Sequence, residues 1–399
     1  MLDALRGVRV LDLTRILAGP YGTLLLADLG AEVLKVERPV TGDDTRRTGP
    51  HFVAGESLYF LSVNRGKRSV CIDLARPEGR EVLRDLALGC DVVVENFRAG
   101  VAESLGCDAA TLRALNPRLI VCGMTAVGRD GADAREPAFD LTLQARGGVM
   151  SLTGHPGGEP ARCGVPIGDL AGGVFAALAV CAALHRRAVT GEGASIDLAL
   201  LDCQFSLLSY FATNWLMAGR DGAPQGSGHA GAAPYQTFAA RDGHLAVAVF
   251  TDAFWGPFCE ALERPMWLRD KRFETNAARC EARDALVPLV AEVIATRDRA
   301  AWMARFRAAG VPASPVQQVS EVCEDPRIVA RTMIAETLHP AAGAVRSPSH
   351  PFRFEGVDEL PGAAAPLLGA DTAAVLREVA GYDDARVASL LASGAVSQR

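Results

Sequence analysis

The stretch VRVLDLTRILAGPYGTLLLADLGAEVLKVE, residues 8–37, decides how the rest of the chain is read. Residues 8–13 are apolar and β-branched, which predicts a strand; Gly19-Pro20 marks a turn; residues 23–29 predict an apolar helix ended by Gly30; residues 32–37 predict a second strand. This is a βαβ opening. The pattern returns as a strand at 69–74, a helix at 77–88, and strands at 91–95 and 119–124. Strands alternating with helices imply a parallel sheet covered on both faces, an α/β fold.

Further along, residues 172–187 predict a long, nearly all-apolar helix, followed by a strand near 194–198 and a second apolar helix to about 217. Composition shifts at residues 218–233, where Gly, Ala, Asp, Pro and Ser dominate, and a linker is expected there. Residues 234–239 and 244–250, joined by Arg241-Asp242-Gly243, read as a hairpin; helices at 283–296 and 299–309 make this second region α+β. Beyond Pro312 and Pro315 the chain predicts short helical pieces, a proline-broken stretch at 340–361 and a terminal helical pair within 371–393. No internal repeat is visible.

Length and composition bound the function. At 399 residues the chain suits two or three domains, and 49% hydrophobic against 22% charged residues supplies a large core. The net charge of −6 and the lack of a basic block argue against nucleic acid. The longest apolar run, residues 172–184, falls short of the roughly 20 residues a bilayer demands, so a buried helix is expected. An acid at Asp3 and no following apolar segment argue against export. The ten cysteines are scattered without a C-x-x-C pair, and Cys71, Cys122 and Cys181 sit in apolar segments, so reduced structural thiols and a cytoplasmic location are expected.

The first βαβ unit invites a dinucleotide reading, because Glu37 ends the second strand where a ribose-binding carboxylate would sit. Its turn, Ala18-Gly19-Pro20-Tyr21-Gly22, lacks the G-x-G-x-x-G spacing that brings backbone to a pyrophosphate. The seven histidines are dispersed, giving no metal set, and there is neither a G-x-S-x-G elbow nor a P-loop. Asp169 stands out between Gly168 and Leu170-Ala171-Gly172-Gly173, at the start of the long helix. Two roles compete for its oxygens: capping the helix amides, or attacking an activated carbonyl while flanking glycines admit a bulky ligand.

Several short motifs occur in order: Leu11-Asp12-Leu13-Thr14-Arg15 with Ala18-Gly19-Pro20, the block at 29–39, Gly42-Asp43-Asp44-Thr45-Arg46, Asn64-Arg65-Gly66-Lys67-Arg68-Ser69 and Val94-Glu95-Asn96-Phe97-Arg98. Gly164-Val165-Pro166-Ile167-Gly168-Asp169, His229 with Pro234-Tyr235-Gln236-Thr237-Phe238, and Pro366-Leu367-Leu368-Gly369 follow. With these the sequence resembles, from end to end, the class III CoA-transferases, the family of formyl-CoA transferase, carnitine CoA-transferase and α-methylacyl-CoA racemase.

The resemblance implies an interlocked homodimer. Its large domain is Rossmann-like, built from residues 1–217 and a returning segment 326–399, with residues 218–325 as linker and small α+β domain. It implies that Asp169 attacks an acyl-CoA thioester to give an aspartyl anhydride, then an aspartyl-CoA thioester, with coenzyme A as substrate and no permanently bound cofactor or metal. For CoA contacts it implies Ile16, Leu17 and Ala18, Arg38, the segment Ile72, Asp73, Leu74 and Ala75, and Asn96, Phe97 and Arg98. Ser104 stands where formyl-CoA transferase has a base, and Arg98 is the expected substitute. Gly226-Ser227-Gly228-His229-Ala230-Gly231 would be the cover loop.

Racemase members carry a histidine where this chain has Phe139, and phenylalanine cannot move a proton, so CoA transfer is expected over 2-methylacyl-CoA racemisation or bare acyl-CoA binding. The His229 pattern resembles the branch using succinyl-CoA or glutaryl-CoA with small dicarboxylic acids. A second carboxylate needs a cation, for which Arg46, Arg47, Arg146, Arg162 and His229 are the candidates.

Overall fold

A computed structural model describes residues 2–357 and 362–398. The chain divides into two compact units, Met1–Val149 with Arg162–Arg220 and Val329–Arg399, and Met150–Ala161 with Asp221–Ile328.

In the first unit, strands β1 (Arg9–Asp12), β2 (Glu32–Glu37), β3 (Lys67–Ile72), β4 (Val92–Glu95), β5 (Ile120–Thr125) and β6 (Ser195–Ala199) lie in the order β3-β2-β1-β4-β5-β6. Every pair among these six is parallel, and a short strand Val396–Ser397 adds antiparallel to the free edge of β3. The order 3-2-1-4-5-6 is that of a doubly wound sheet. Consecutive apolar residues serve opposite faces. Leu11, Leu34, Val70, Val93 and Val121 pack on helix Pro77–Leu88 and the terminal helices Thr372–Glu378 and Asp384–Ser393. Val10, Val33, Val92 and Ile120 pack with helices α1 (Ala18–Asp28) and α2 (Ile167–Thr190).

Both of these helices exceed their expected bounds. The Gly19-Pro20 pair is not a turn but lies in the first turn of α1, where a missing proline amide costs no helical hydrogen bond. Helix α2 has 24 residues, beginning before and ending after the expected 172–187, and is long and apolar enough to cross a membrane by length and composition. What fixes one face of it is packing: Ala176, Ala177, Val180 and Ala183 are buried against the sheet and α1. A Cβ on Gly173 would lie 2.7 Å from the Ala18 carbonyl oxygen, and one on Gly22 2.9 Å from that of Gly173. These glycines let two backbones touch; they do not make room for a ligand, and Gly172 is likewise closed off by Leu200.

The second apolar helix breaks at Ser209, with φ 48°, into Leu200–Leu207 and Tyr210–Ala218. An antiparallel hairpin, Ile334–His339 with Gly343–Pro348, runs into the proline-broken stretch, and residues 358–361 of that stretch lie outside the described residues. A helix at Leu58–Asn64 was also not evident from the sequence.

The second unit pairs β7 (Tyr235–Ala240) with β8 (Gly243–Ala248) in the expected hairpin and adds β9 (Ala313–Pro315) beside β8. Its core joins Trp255, Phe258, Leu286, Val290, Trp302 and Phe306. Residues 150–161, which the sequence reading placed in the large domain, cluster here because the Gly226 N–H donates to the Gly154 carbonyl at 2.7 Å.

The glycine contact predicts that Gly173→Ala overpacks the α1–α2 crossing and lowers stability by about 1–3 kcal/mol. Urea unfolding checks this; an unchanged midpoint would remove the backbone contact from the account.

Candidate active site

In a doubly wound sheet the strand order reverses at one place, and loops leaving the carboxyl ends there diverge to leave a crevice. Here that place lies between β1 and β4. The Asn96 side chain clamps the two loops together, its Oδ1 accepting from the Arg15 N–H at 2.9 Å and its Nδ2 donating to the Arg15 carbonyl at 2.8 Å. Ile16 has φ 72°, a left-handed conformation unfavourable for a β-branched residue. It is held by its N–H donating to Asp43 Oδ1 at 3.3 Å.

A cavity of about 360 Å³ opens at this switch point, and Ile16, Leu17, Ala18, Asn96, Phe97 and Arg98 line it together with Asp169. A neighbouring cavity of about 530 Å³ is lined by Arg38 and Ile72, Asp73, Leu74 and Ala75, and the two share Arg15 and Phe97. The expected nucleotide-site residues thus fall along one connected crevice.

Asp169 occupies the first turn of α2 but is not its cap. Pro166 precedes the helix, and Asp140 Oδ1 accepts from the Gly168 N–H at 2.9 Å and the Asp169 N–H at 3.3 Å. Asp140 opens helix α3 (Asp140–Arg146). Its Oδ2 accepts from Gln144 Nε2 at 2.6 Å, and Gln144 Oε1 accepts from the Cys163 N–H at 2.8 Å. Gly168 admits no side chain, because a Cβ would stand 2.1 Å from Gln204 Nε2 and 3.0 Å from Asp140 Oδ1. A remote carboxylate therefore caps the helix and leaves the Asp169 oxygens to the cavity. Burial, and then the charge of Asp140, push Asp169 up to about 6. Burial first, then Asp169, Asp43 and Asp140, push the nearby Tyr59 up to about 12. A carboxylate of this kind is ionised at neutral pH yet poorly solvated, a combination suited to nucleophilic attack.

The other candidates separate clearly. Glu37 is buried and bidentate with Arg46 at 2.7 Å, and also accepts from Ser69 Oγ at 2.6 Å and the Asp43 N–H at 3.0 Å, so it has no oxygen for a ribose. The same geometry corrects Arg46: its guanidinium lies over Phe60 at 3.7 Å and is no cation for a substrate carboxylate. Arg47 pairs with Asp44 at 3.6 Å, and Arg146 pairs with Asp133 and Glu136. Arg162 is exposed, donates to the carbonyls of Cys163 and Gly164 at 3.3 Å, and does not line the Asp169 cavity. His229 belongs to the second unit, where its Nδ1 accepts from the Gly231 N–H at 3.0 Å and its ring meets Tyr235 and Phe250. Arg38 is half-exposed and donates to Asp44 at 2.5 Å.

Beside Ser104 the sequence reading missed a base: Arg80 donates to the carbonyls of Ser104 at 3.5 Å and Ala75 at 3.2 Å. Asp140 and Gln144 were missed as well, although their i, i+4 spacing on a helix was a usable signal. Among the described residues no His, Cys, Asp and Glu group could hold a metal.

The carboxylate pair predicts that the Asp169 ¹³C carboxyl resonance titrates at about 6, and that Asp140→Asn moves this midpoint down toward the ordinary aspartate value of 3.8. An unmoved midpoint in that variant would remove Asp140 as a cause.

Comparison with known proteins accords with this geometry. The sequence model of CoA-transferase family III matches residues 5–372. Human succinyl-CoA:glutarate CoA-transferase is 36% identical over 397 residues, covering 100% of this chain and 91% of that one. Succinyl-CoA:mesaconate CoA-transferase of Haloarcula hispanica is 40% identical over 387 residues, covering 94% and 96%. The crystal structure of a CAIB/BAIF family protein from Brucella suis superposes with a TM-score of 0.87 at 38% identity, covering 95% of this chain and 100% of that chain. With similarity of this extent along its whole length, the chain belongs to CoA-transferase family III and is an enzyme of the CoA-transferase type.

Proposed function

We propose that this enzyme moves CoA from succinyl-CoA to a small dicarboxylic acid through covalent intermediates on Asp169. The observation that carries this reading is a carboxylate with no hydrogen-bond donor among the described residues, at the end of a crevice that continues to Arg38. The adenosine end of CoA would lie by Arg38 and residues 72–75, and its arm would pass Arg15 and Phe97 toward Asp169. The substrates follow from the relatives, named for succinyl-CoA with glutarate or mesaconate.

An Asp169 oxygen attacks the thioester carbonyl, the C–S bond breaks, and CoA thiolate leaves a mixed anhydride. The thiolate then attacks the aspartyl carbonyl, releasing succinate and leaving a thioester on Asp169. The acceptor carboxylate attacks that thioester, displacing thiolate and forming a second anhydride, from which thiolate takes the new acyl group and frees Asp169. One thioester is consumed and one is made, so the exchange needs no external energy source. Racemisation is disfavoured because Phe139, which has no titrating group, lines the same cavity.

We also propose a homodimer. Val174 and Leu178 on α2, and Trp215, Leu216 and Met217 on the helix Tyr210–Ala218, are large apolar side chains left exposed in the single chain. The ten free cysteines suit a reducing compartment, in keeping with a cytoplasmic enzyme.

Asp169→Ala and Asp169→Asn are expected to lower succinyl-CoA-dependent transfer by at least about 10³-fold. Hydroxylamine added during turnover is expected to modify Asp169; near-normal turnover in either variant, or modification elsewhere, overturns the mechanism. Sedimentation velocity is expected to give twice the 42.0 kDa chain mass, and a monomer at micromolar concentration refutes the dimer.

A further inference from the structure

Gln144 is wholly buried, although a glutamine in the first turns of a short helix is more often solvated. Its amide links two segments that carry the catalytic carboxylate. On one side Oε1 accepts from the Cys163 N–H at 2.8 Å, drawing in the strand of chain that leads to α2. On the other Nε2 donates to Asp140 Oδ2 at 2.6 Å, while Asp140 Oδ1 bridges the amides of Gly168 and Asp169. Both ends of the segment 163–169 therefore hang on one side chain. We propose that Gln144 is a positioning residue for the transfer reaction: by fixing the rotation of the Asp140 carboxylate it fixes the first turn of α2 and the direction in which Asp169 meets the thioester. This rests on the assignment of Asp169 as nucleophile.

The chemistry gives such a device a reason. Asp169 alternates between an anion and three neutral acyl forms, two anhydrides and a thioester, so the charge facing Asp140 comes and goes within each cycle. Arg15, Arg98, Asp44 and Glu136 also line the cavity, and Tyr59 lies near Asp169. A carboxylate free to rotate would follow those changes, turning toward cations when Asp169 is charged and toward the helix amides when it is not. The Gln144 amide removes that freedom, since an amide donor at Oδ2 and two backbone donors at Oδ1 leave a single arrangement that satisfies all three.

A donor–acceptor exchange tests this. Gln144→Glu places an oxygen against Asp140 Oδ2 where a donor belongs, and is expected to lower kcat about tenfold or more while KM for succinyl-CoA stays within about twofold. Combining Gln144→Glu with Asp140→Asn restores every bond with the roles reversed: the new amide at 140 donates to the new carboxylate at 144 and still accepts from the helix amides, and the Cys163 bond is kept. At pH 8, where Asp169 is ionised, the double variant is expected to recover to within about threefold of the wild-type kcat. Recovery to that level supports positioning. A double variant no faster than Gln144→Glu, or a Gln144→Glu enzyme with wild-type kcat, overturns it. If Gln144→Glu alone fails to fold, the double variant decides by the same threshold, any loss beyond about threefold overturning the proposal. Hydroxylamine trapping at Asp169 in the wild type keeps failure of this proposal distinct from failure of the nucleophile assignment.

Discussion

Two ammonium–carboxylate pairs inside the sheet hold the active-site turn, and the crevice depends on them. Asp12, at the end of β1, is fully buried; its Oδ1 accepts from the Thr14 N–H at 2.9 Å, and its Oδ2 from Thr23 Oγ at 2.7 Å and Lys67 Nζ at 3.0 Å. Lys67 donates also to the Pro20 carbonyl and to Asn64 Oδ1, both at 2.9 Å, so a single ammonium ties β1, the first turn of α1 and the start of β3. Lys35 does the same on the other side, pairing with Asp43 at 2.9 Å and donating to the Thr14 carbonyl at 2.9 Å. Burial works against the Asp12 charge, but Lys67 and Lys35, together with the Thr14 and Thr23 hydroxyls, outweigh it and hold the acid at about 2. Only three of the 41 basic residues are lysines, and two of them are here. A compact ammonium with three donors fits a closed space that a planar guanidinium would not. Removing either partner would strand a buried charge, at a cost of about 3–5 kcal/mol.

From this anchorage the position of the site follows. The pinned turn places Ile16, Leu17 and Ala18 at the switch point, and Asn96 joins it to the loop after β4. Asp169 reaches the same crevice from one face of the sheet, carried by a helix whose depth is set by the Gly22–Gly173 contact. The first turn of a helix ordinarily draws a carboxylate onto its own amides. Asp140 takes that duty, and the side chain that would have capped remains available for chemistry.

The strands and the two-faced core were legible because continuous β-branched runs have one stable home, a parallel sheet covered on both sides. The length of α2 was not. Asp169, His185 and Arg186 flank the apolar run and the helix continues through them; Gly168, Gly172 and Gly173 weaken it without ending it, and no proline stands between Ile167 and Thr190. The hairpin at 334–348 was hidden for a related reason: its prolines sit at or outside the strand ends, where they take no ladder hydrogen bond. Asp169 stood out as a candidate from its position and motif. Its support did not, because Asp140 lies 28 residues before Gly168, and no local pattern indicates which distant carboxylate will satisfy a helix terminus. Arg46 was misjudged in the same way, since its partner Glu37 had a plausible role of its own nine residues earlier.

That division of labour also sets the two neighbouring acids, Asp140 and Asp169, in different surroundings. Asp140 accepts three hydrogen bonds, from the Gln144 side-chain amide and from the Gly168 and Asp169 N–H groups. Asp169 makes none that the described residues supply, so burial and its neighbour both favour its neutral form. Between about pH 4 and 6 the folded chain therefore binds a proton at Asp169 that the unfolded chain has released, and stability contributed by this group falls as pH rises through that window. A capped, well-solvated aspartate would be more stable and a worse nucleophile. The fold accepts the less favourable arrangement at the one carboxylate proposed to form and break a bond, and its buried lysines and glutamine keep the surrounding backbone from relaxing to relieve it.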